Sequence, residues 1–273
     1  MNLEKKLAYT KQVLKKLDKV AIAYSGGVDS TFLALLCQKT IPEKTLLIHV
    51  DAAVICTNDQ DDVMRFAKET SLPLKRIKLD VFKTKEFIEN GPKRCYYCKH
   101  YIFNHIFEVA HQAGIKNVID GTNADDHLDY RPGMQALQEL GVISLLEECG
   151  WHKSEIRMQL KEWGCELWNK PSSGCLATRI PCNETITAEK LELIRQCEDY
   201  LHQFGFDKLR VRLMNYRACI EVDPKMRNKF FDMDFMQQVD QAFRSFGCLD
   251  VMLSLRGYHT GNMNQVQKRS VEQ

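Results

Sequence analysis

Leucines at positions 3, 7, 14 and 17 recur at helical intervals among charged residues, so the chain opens on an amphipathic helix. The apolar run Val20-Ala21-Ile22-Ala23-Tyr24 then predicts a short buried strand that leads straight into Ser25-Gly26-Gly27-Val28-Asp29-Ser30 and a helix beginning near Thr31. A second strand, Leu46 to Val50, precedes a helix from about Asn58 to Glu69. A third, Leu74 to Leu79, precedes a helical stretch running through Cys95-Tyr96-Tyr97-Cys98 toward Ala113, and a fourth, Asn117 to Ile119, ends at Gly121-Thr122-Asn123. Strands alternating with helices at this interval predict an α/β fold, a parallel sheet with helices on both faces. The pattern changes after Pro171. A loop rich in Ser, Gly and Pro (Pro171 to Asn183) is followed by a helix (Ala188 to Phe204), strands at Leu209 to Met214 and Ala218 to Val222, a helix near Met236 to Phe246 and a strand near Val251 to Leu255. That is a smaller α+β unit, and the expected domains are residues 1–175 and 186–273, with the boundary inside 170–186.

At 273 residues with 44% apolar content, the chain has enough material for both cores. Lys and Arg number 38 against 36 Asp and Glu, so net charge gives no polyanion-binding character, although a local basic cluster for a small anion remains open. The N-terminus lacks an apolar signal core, and the nearby run Phe32 to Cys37 is too short to span a bilayer, so a cytoplasmic chain with no membrane partner is expected. Eleven cysteines are many for a reducing compartment, where catalytic or metal-binding uses outweigh disulfides. Cys37, Cys56, Cys149, Cys197 and Cys219 lie among apolar neighbours and are expected to be small buried hydrophobes.

Chemistry concentrates in a few strings. In Ser25 to Ser30, two glycines allow a tight turn and close backbone approach, Ser25, Ser30 and Thr31 add hydroxyls, and a helix start points its positive end at the same spot. This suits a phosphate or pyrophosphate, yet the string lacks the Walker lysine and the dinucleotide-fingerprint spacing. A strand-to-helix turn with no ligand is the plainer alternative. Gly121-Thr122-Asn123-Ala124-Asp125-Asp126 follows a strand end, where ligands of open α/β sheets collect; its carboxylates either position a cation or cap a helix. Pro171 to Pro181 places Cys175 beside hydroxyls and near Arg179, and a nearby cation favours the reactive thiolate; a structural cysteine is the alternative. Arg210 and Arg212 alternate along a strand and share a face, either as a bidentate anion site or as a solvated surface. Cys95 and Cys98 share one side of a helix start. A zinc site would need a second pair of ligands that is not nearby, and a redox dithiol is a further option.

The loop from Ser25 to Thr31 resembles that of the PP-loop ATP pyrophosphatases (HUP-like fold), which cleave ATP between the α and β phosphates and adenylate a substrate. The resemblance puts Ser25, Gly26, Gly27, Asp29, Ser30 and Thr31 around the departing pyrophosphate, with Asp29 helping to place Mg²⁺. It makes residues 1–175 the ATP-binding domain, and by position only it seats adenine near His49-Val50-Asp51. Together with GTNADDHLDYRPG (121–133), the Cys175 loop and Arg210-Val211-Arg212, nearly the whole chain is similar to the LarE sulfur transferases. That resemblance implies adenylation of a carboxylate of pyridinium-3,5-biscarboxylic acid mononucleotide, then sulfur transfer through Cys175 during nickel-pincer cofactor synthesis. Asp125 and Asp126 would then attend the nucleotide or Mg²⁺, and Arg210 and Arg212 the anionic substrate, in a substrate or oligomerisation domain of a homo-oligomer.

Two sulfur routes are open. Cys95, Cys98 and Cys175 resemble the three-cysteine [4Fe–4S] sites of PP-loop tRNA thiolases, fed by a sulfide source, and that reading is preferred here. In the other route Cys175 gives up its own sulfur and becomes dehydroalanine. Cys165, Cys182 and Cys248 are further candidate ligands. The rival functions are tRNA thiolation, opposed by the near-neutral composition, and an ATP or iron–sulfur sensor without turnover.

Overall fold

The computed structural model describes residues 2–128, 132–172 and 174–259, with side chains omitted at 57–61, 127 and 128. Asp129 to Arg131 of the second string and Ser173 of the cysteine loop lie outside the described residues.

The chain forms two compact units. One comprises Met1–Ala52, Asn58–Thr84 and Lys93–Ser173; the other comprises Ala53–Thr57, Lys85–Pro92 and Gly174–Gln273. In chain order the elements are α1 (Leu3–Lys16), β1 (Val20–Ala23), α2 (Val28–Gln38), β2 (Thr45–Asp51), α3 (Thr57–Thr70), β3 (Leu74–Lys78), α4 (Lys85–Ile88), α5 (Arg94–Gln112), β4 (Asn117–Ile119), α6 (Pro132–Glu139), α7 (Leu145–Glu148), α8 (Lys153–Glu162), α9 (Ala188–His202), β5 (Leu209–Met214), β6 (Arg217–Val222), α10 (Met233–Phe246) and β7 (Asp250–Leu253).

The larger unit is the α/β fold expected from the alternating pattern. Its four strands are all parallel, in the order β3-β2-β1-β4, with Ile22 paired to Leu47 on one side and Ile119 on the other. Central β1 and β2 are buried along almost their whole length, as strands covered on both faces are. Val20, Ile22, Phe32, Leu33, Leu36, Leu47, Trp151 and Leu160 form one fully buried cluster. The buried Trp151 indole is held by the Thr10 hydroxyl, which accepts from Nε1 at 2.8 Å. Strand order turns outward between β1 and β4, and the carboxyl ends of these strands meet at the start of α2, where ligands of open α/β sheets collect.

The smaller unit carries a three-stranded sheet, β5-β6 antiparallel and β6-β7 parallel, packed on α9 and α10. Two short segments from the first third of the chain belong to it because their backbone groups are satisfied there. The Val54 carbonyl accepts from Leu176 N–H at 2.9 Å, and the Ile88 carbonyl accepts from Ile186 N–H at 2.9 Å. Asn90, fully buried, donates through Nδ2 to the Pro181 and Glu184 carbonyls at 2.7 and 2.9 Å.

Three local differences from the sequence reading have physical causes. Helix α2 begins at Val28 rather than Thr31, because Gly27 takes an extended N-cap conformation. Helix α10 begins at Met233 rather than near Met236, because the Asp232 carboxylate caps it, accepting from Phe235 N–H at 2.8 Å. Cys37, Cys149 and Cys197 are buried as expected, whereas Cys56 and Cys219 are only half-buried: apolar sequence neighbours did not place them in a core.

Candidate active site

The loop after β1 is shaped for an anion. Gly26 adopts φ 77°, a left-handed conformation natural to glycine. The Ser25 hydroxyl accepts from Gly27 N–H at 3.3 Å and lies 3.1 Å from the Ser30 hydroxyl, which in turn donates to the Gly27 carbonyl at 3.1 Å. Above this turn stands the N-terminal end of α2, whose free N–H groups and dipole favour negative charge. Asp29 lies in the first turn of α2. Burial raises its pKa above the ordinary carboxylate value; Lys153, whose Nζ is 3.6 Å from Asp29 Oδ2, opposes the rise, and Asp126 adds to it. Thr31 is fully buried, its hydroxyl 3.2 Å from that of Tyr24.

The string after β4 lies against this loop. A methyl group built on Gly121 would sit 2.9 Å from the Ser30 backbone nitrogen, so glycine is what permits the approach. Two buried polar atoms here have no hydrogen-bond partner, Asp29 Oδ1 and Asn123 Nδ2. A missing ligand with an acceptor for the amide, and a cation for the carboxylate, would complete both. Asp125 is placed at the start of α8: Oδ1 accepts from His152 Nδ1 and Oδ2 from Lys153 N–H, both at 2.7 Å. Those bonds hold its pKa below the usual value, the His152 contact first. Asp126 Oδ2 accepts from Asn123 N–H at 3.1 Å. Here the helix-capping alternative describes the contacts made.

Sequence reasoning missed three cations in this unit. Besides Lys153, Lys170 Nζ donates to the Gly26 carbonyl at 3.1 Å and to Asp62 at 2.6 Å. Arg157 braces that lysine's segment by donating to the carbonyls of Trp168 and Lys170 at 2.6 and 2.8 Å. No string announced them, because each comes from a separate stretch that only the fold brings to the loop. His49 is buried and its ring Nδ1 donates to the Tyr24 carbonyl at 2.9 Å; Asp51 pairs with Arg76.

In the smaller unit the Cys175 loop is organised by Arg179. That guanidinium, 1% exposed, pairs with both oxygens of Glu198 at 2.9 and 3.0 Å and donates through Nη1 to the Cys175 carbonyl at 3.0 Å. Burial works against its charge, but Glu198 more than compensates and raises its pKa, with Cys56 and Cys175 adding to the same field. Arg210 and Arg212 are buried rather than solvated. Arg212 pairs with Glu221 at 3.0 Å and donates to the Thr178 carbonyl at 2.9 Å. Arg210 lies over the Tyr258 ring, 4.9 Å from its centroid. Burial and then the neighbouring Arg179 lower its pKa: two guanidiniums stand close together, a setting that an anion would relieve.

The cysteines are divided between the units. Cys95 and Cys98 are half-buried on the first turn of α5 in the larger unit, with Arg94 donating to Cys95 Sγ at 3.5 Å, and Cys175 belongs to the smaller. Among the described residues no three His, Cys, Asp or Glu side chains are gathered to hold a metal ion. A cluster ligated by three thiolates requires such a gathering, and the [4Fe–4S] site expected from Cys95, Cys98 and Cys175 is left without support. Mg²⁺ makes no such demand, since it is commonly held by one or two carboxylates together with substrate phosphates. The orphaned Asp29 oxygen fits that role. No described helix is long and apolar enough to cross a membrane.

The NAD synthase family model matches residues 3–93, which hold β1 to β3 and the glycine loop. An uncharacterised protein of Synechocystis, slr1717, is 34% identical over 97% of this chain and 98% of its own length. The pyridinium-3,5-bisthiocarboxylic acid mononucleotide synthase of Lactiplantibacillus plantarum is 32% identical over 92% of this chain and 91% of its own. An uncharacterised protein of Methanocaldococcus jannaschii, MJ0830, is 30% identical over 94% and 98%.

Proposed function

Because this chain belongs to the family of pyridinium-3,5-bisthiocarboxylic acid mononucleotide synthases, ATP-dependent enzymes of the PP-loop pyrophosphatase superfamily, we propose that it adenylates a carboxylate of the pyridinium-3,5-biscarboxylic acid mononucleotide and replaces a carboxylate oxygen with sulfur from Cys175. The observation that carries the reading is a pair of loops: an anion-shaped loop with an orphaned carboxylate oxygen, and a cysteine loop fixed by a buried arginine.

The carboxylate is a poor electrophile, and attack of its oxygen on the α-phosphorus of ATP gives an acyl adenylate and pyrophosphate. The Ser25–Ser30 loop and the start of α2 hold the departing pyrophosphate; Lys153 adds positive charge beside them. Asp29 would hold Mg²⁺, which supplies neutralisation of the phosphate charge. The Cys175 thiolate then attacks the acyl carbon, AMP leaves, and a thioester joins substrate to protein. Loss of the Cys175 α-proton with cleavage of its Cβ–S bond releases the thiocarboxylate and leaves dehydroalanine. Arg179 keeps the loop in place through the Cys175 carbonyl, and Arg210 and Arg212 favour the substrate's anionic groups. The cytoplasm is the expected compartment, and self-association the expected assembly.

Incubation of anaerobically purified protein with ATP, Mg²⁺ and the dicarboxylate tests this. Pyrophosphate release should require the dicarboxylate, thiocarboxylate should appear about once per chain, and Cys175 should lose the elements of H₂S. Pyrophosphate release independent of any carboxylate would remove the carboxylate-adenylation reading. Iron and labile sulfide in stoichiometric amounts, with repeated turnover on added sulfide, would restore the cluster route and displace the sacrificial one.

A further inference from the structure

Cys56 lies in a segment whose sequence gives no functional signal, yet the fold lays it against the Cys175 loop. Leu176 N–H donates to the Val54 carbonyl at 2.9 Å, and the Cys56 thiol donates to the Gly174 carbonyl at 3.6 Å. The Gly174 carbonyl belongs to the peptide link that leads into Cys175, so the Cys56 sulfur lies against the backbone of that residue. Arg179 lies within electrostatic reach of both sulfurs. A methyl group built on Gly174 would sit 3.6 Å from Arg179 Nη1 and 3.8 Å from Arg210 Nη2, so the backbone between the thiols is flanked by two guanidiniums. Cationic surroundings favour thiolate, the form that exchanges with disulfides.

The chain contains an instructive second pair. Cys197 and Cys248 have their sulfurs 3.8 Å apart, but they are 0% and 5% exposed inside the smaller unit's core, closed to an oxidant. Cys56 and Cys175 are both half-exposed. Proximity alone would favour the buried pair, whereas proximity with access and positive charge favours the other.

We propose that Cys56 and Cys175 form a single dithiol site that small-molecule disulfides close. The Cys175 thiolate attacks one sulfur of the oxidant, giving a mixed disulfide and releasing one thiol. The Cys56 thiolate then attacks the Cys175 sulfur, expels the second thiol and leaves a Cys56–Cys175 bond. Two cysteine thiols lose two electrons and two protons in all, and the oxidant is reduced to two thiols. Closure withholds the sulfur atom that thiocarboxylate formation needs, a consequence that rests on the proposed role of Cys175. A reductant reopens it.

Reduced full-length protein exposed to oxidised glutathione, alkylated, digested and mapped by mass spectrometry tests the site. The expected product is a peptide pair joined through Cys56 and Cys175, with loss of thiocarboxylate formation that dithiothreitol reverses. Cys56→Ser should keep thiocarboxylate formation when reduced, give no such cross-link, and retain glutathione on Cys175. Wild-type protein that keeps glutathione on Cys175, or joins Cys175 to any other cysteine, overturns the proposal. If reduced wild-type protein makes no thiocarboxylate at all, the proposed reaction fails while the cross-link still reports on the dithiol.

Discussion

The glycine loop of the larger unit and the cysteine loop of the smaller one are built on opposite plans. The first is local: Ser25, Gly27 and Ser30 hold one another within six residues, and the backbone of the same turn is what faces an anion. The second is assembled from segments scattered along the chain, with Cys175, Arg179, Glu198, Arg210 and Tyr258 meeting only after folding. A locally encoded turn of this kind suits a common group such as phosphate and tolerates divergence elsewhere. A site assembled from distant parts depends on the sheet and helix that carry it, so its chemistry is sensitive to the stability of the smaller unit.

The sharpest separation of the two should come from Cys175→Ser. Thiocarboxylate formation should fall below detection, because the hydroxyl brings no sulfur to transfer, while dicarboxylate-dependent pyrophosphate release persists. Paired assays of pyrophosphate and product read this directly. Loss of both activities together would mean that the cysteine loop also builds the adenylating half.

Next in size is Glu198→Gln, which leaves the fully buried Arg179 charge without its counter-ion. Breaking one side of a buried pair costs about 3–5 kcal/mol, so chemical denaturation should show the smaller unit destabilised by that order. Pyrophosphate release at 25 °C should survive where the larger unit stays folded. An unchanged denaturation midpoint would show that Glu198 does not neutralise Arg179 in solution.

The same contrast explains what could be read from the sequence. Strand runs, helix periods and the glycine loop are contiguous, and the strands of the parallel sheet lie close to where the pattern put them, whereas helices α6, α7 and α8, between Asn123 and Pro171, went unread. Lys153, Lys170 and Cys56 escaped because each has an ordinary local context, a helix start, a loop edge and an apolar neighbourhood, and gains meaning only from a partner more than a hundred residues away. Cys95 and Cys98 show the limit of a local reading. Their spacing suggested a ligand pair, but spacing on a helix fixes only which side two residues share, and among the described residues no third ligand joins them.

A smaller effect is expected from Gly121→Ala. The added methyl would meet the Ser30 backbone nitrogen at 2.9 Å, and backbone cannot step aside as a side chain does. Overpacking of this kind costs about 1–3 kcal/mol, and here the displaced group is the loop proposed to hold pyrophosphate. The KM for ATP should therefore rise about tenfold or more, with thiol alkylation of Cys175 unaffected. ATP kinetics indistinguishable from wild type would mean that the strand end and the loop are not in contact during turnover.

The mildest test concerns Tyr258, and it asks whether Arg210 is held by a ring face or by a hydroxyl. The guanidinium lies 4.9 Å from the ring centroid, the geometry of a cation–π contact, and burial already disfavours its charge. Removing the aromatic face with Tyr258→Leu should cost about 0.5–1 kcal/mol of that placement, a rise of roughly two- to fivefold in the KM for the dicarboxylate with kcat little changed. Tyr258→Phe keeps the face and should match wild type. If Phe falls as far as Leu, the hydroxyl is the working group. If neither variant moves the KM, Arg210 reaches its place through Leu209, whose carbonyl accepts from Nη1 at 2.6 Å, and the ring is only a cover.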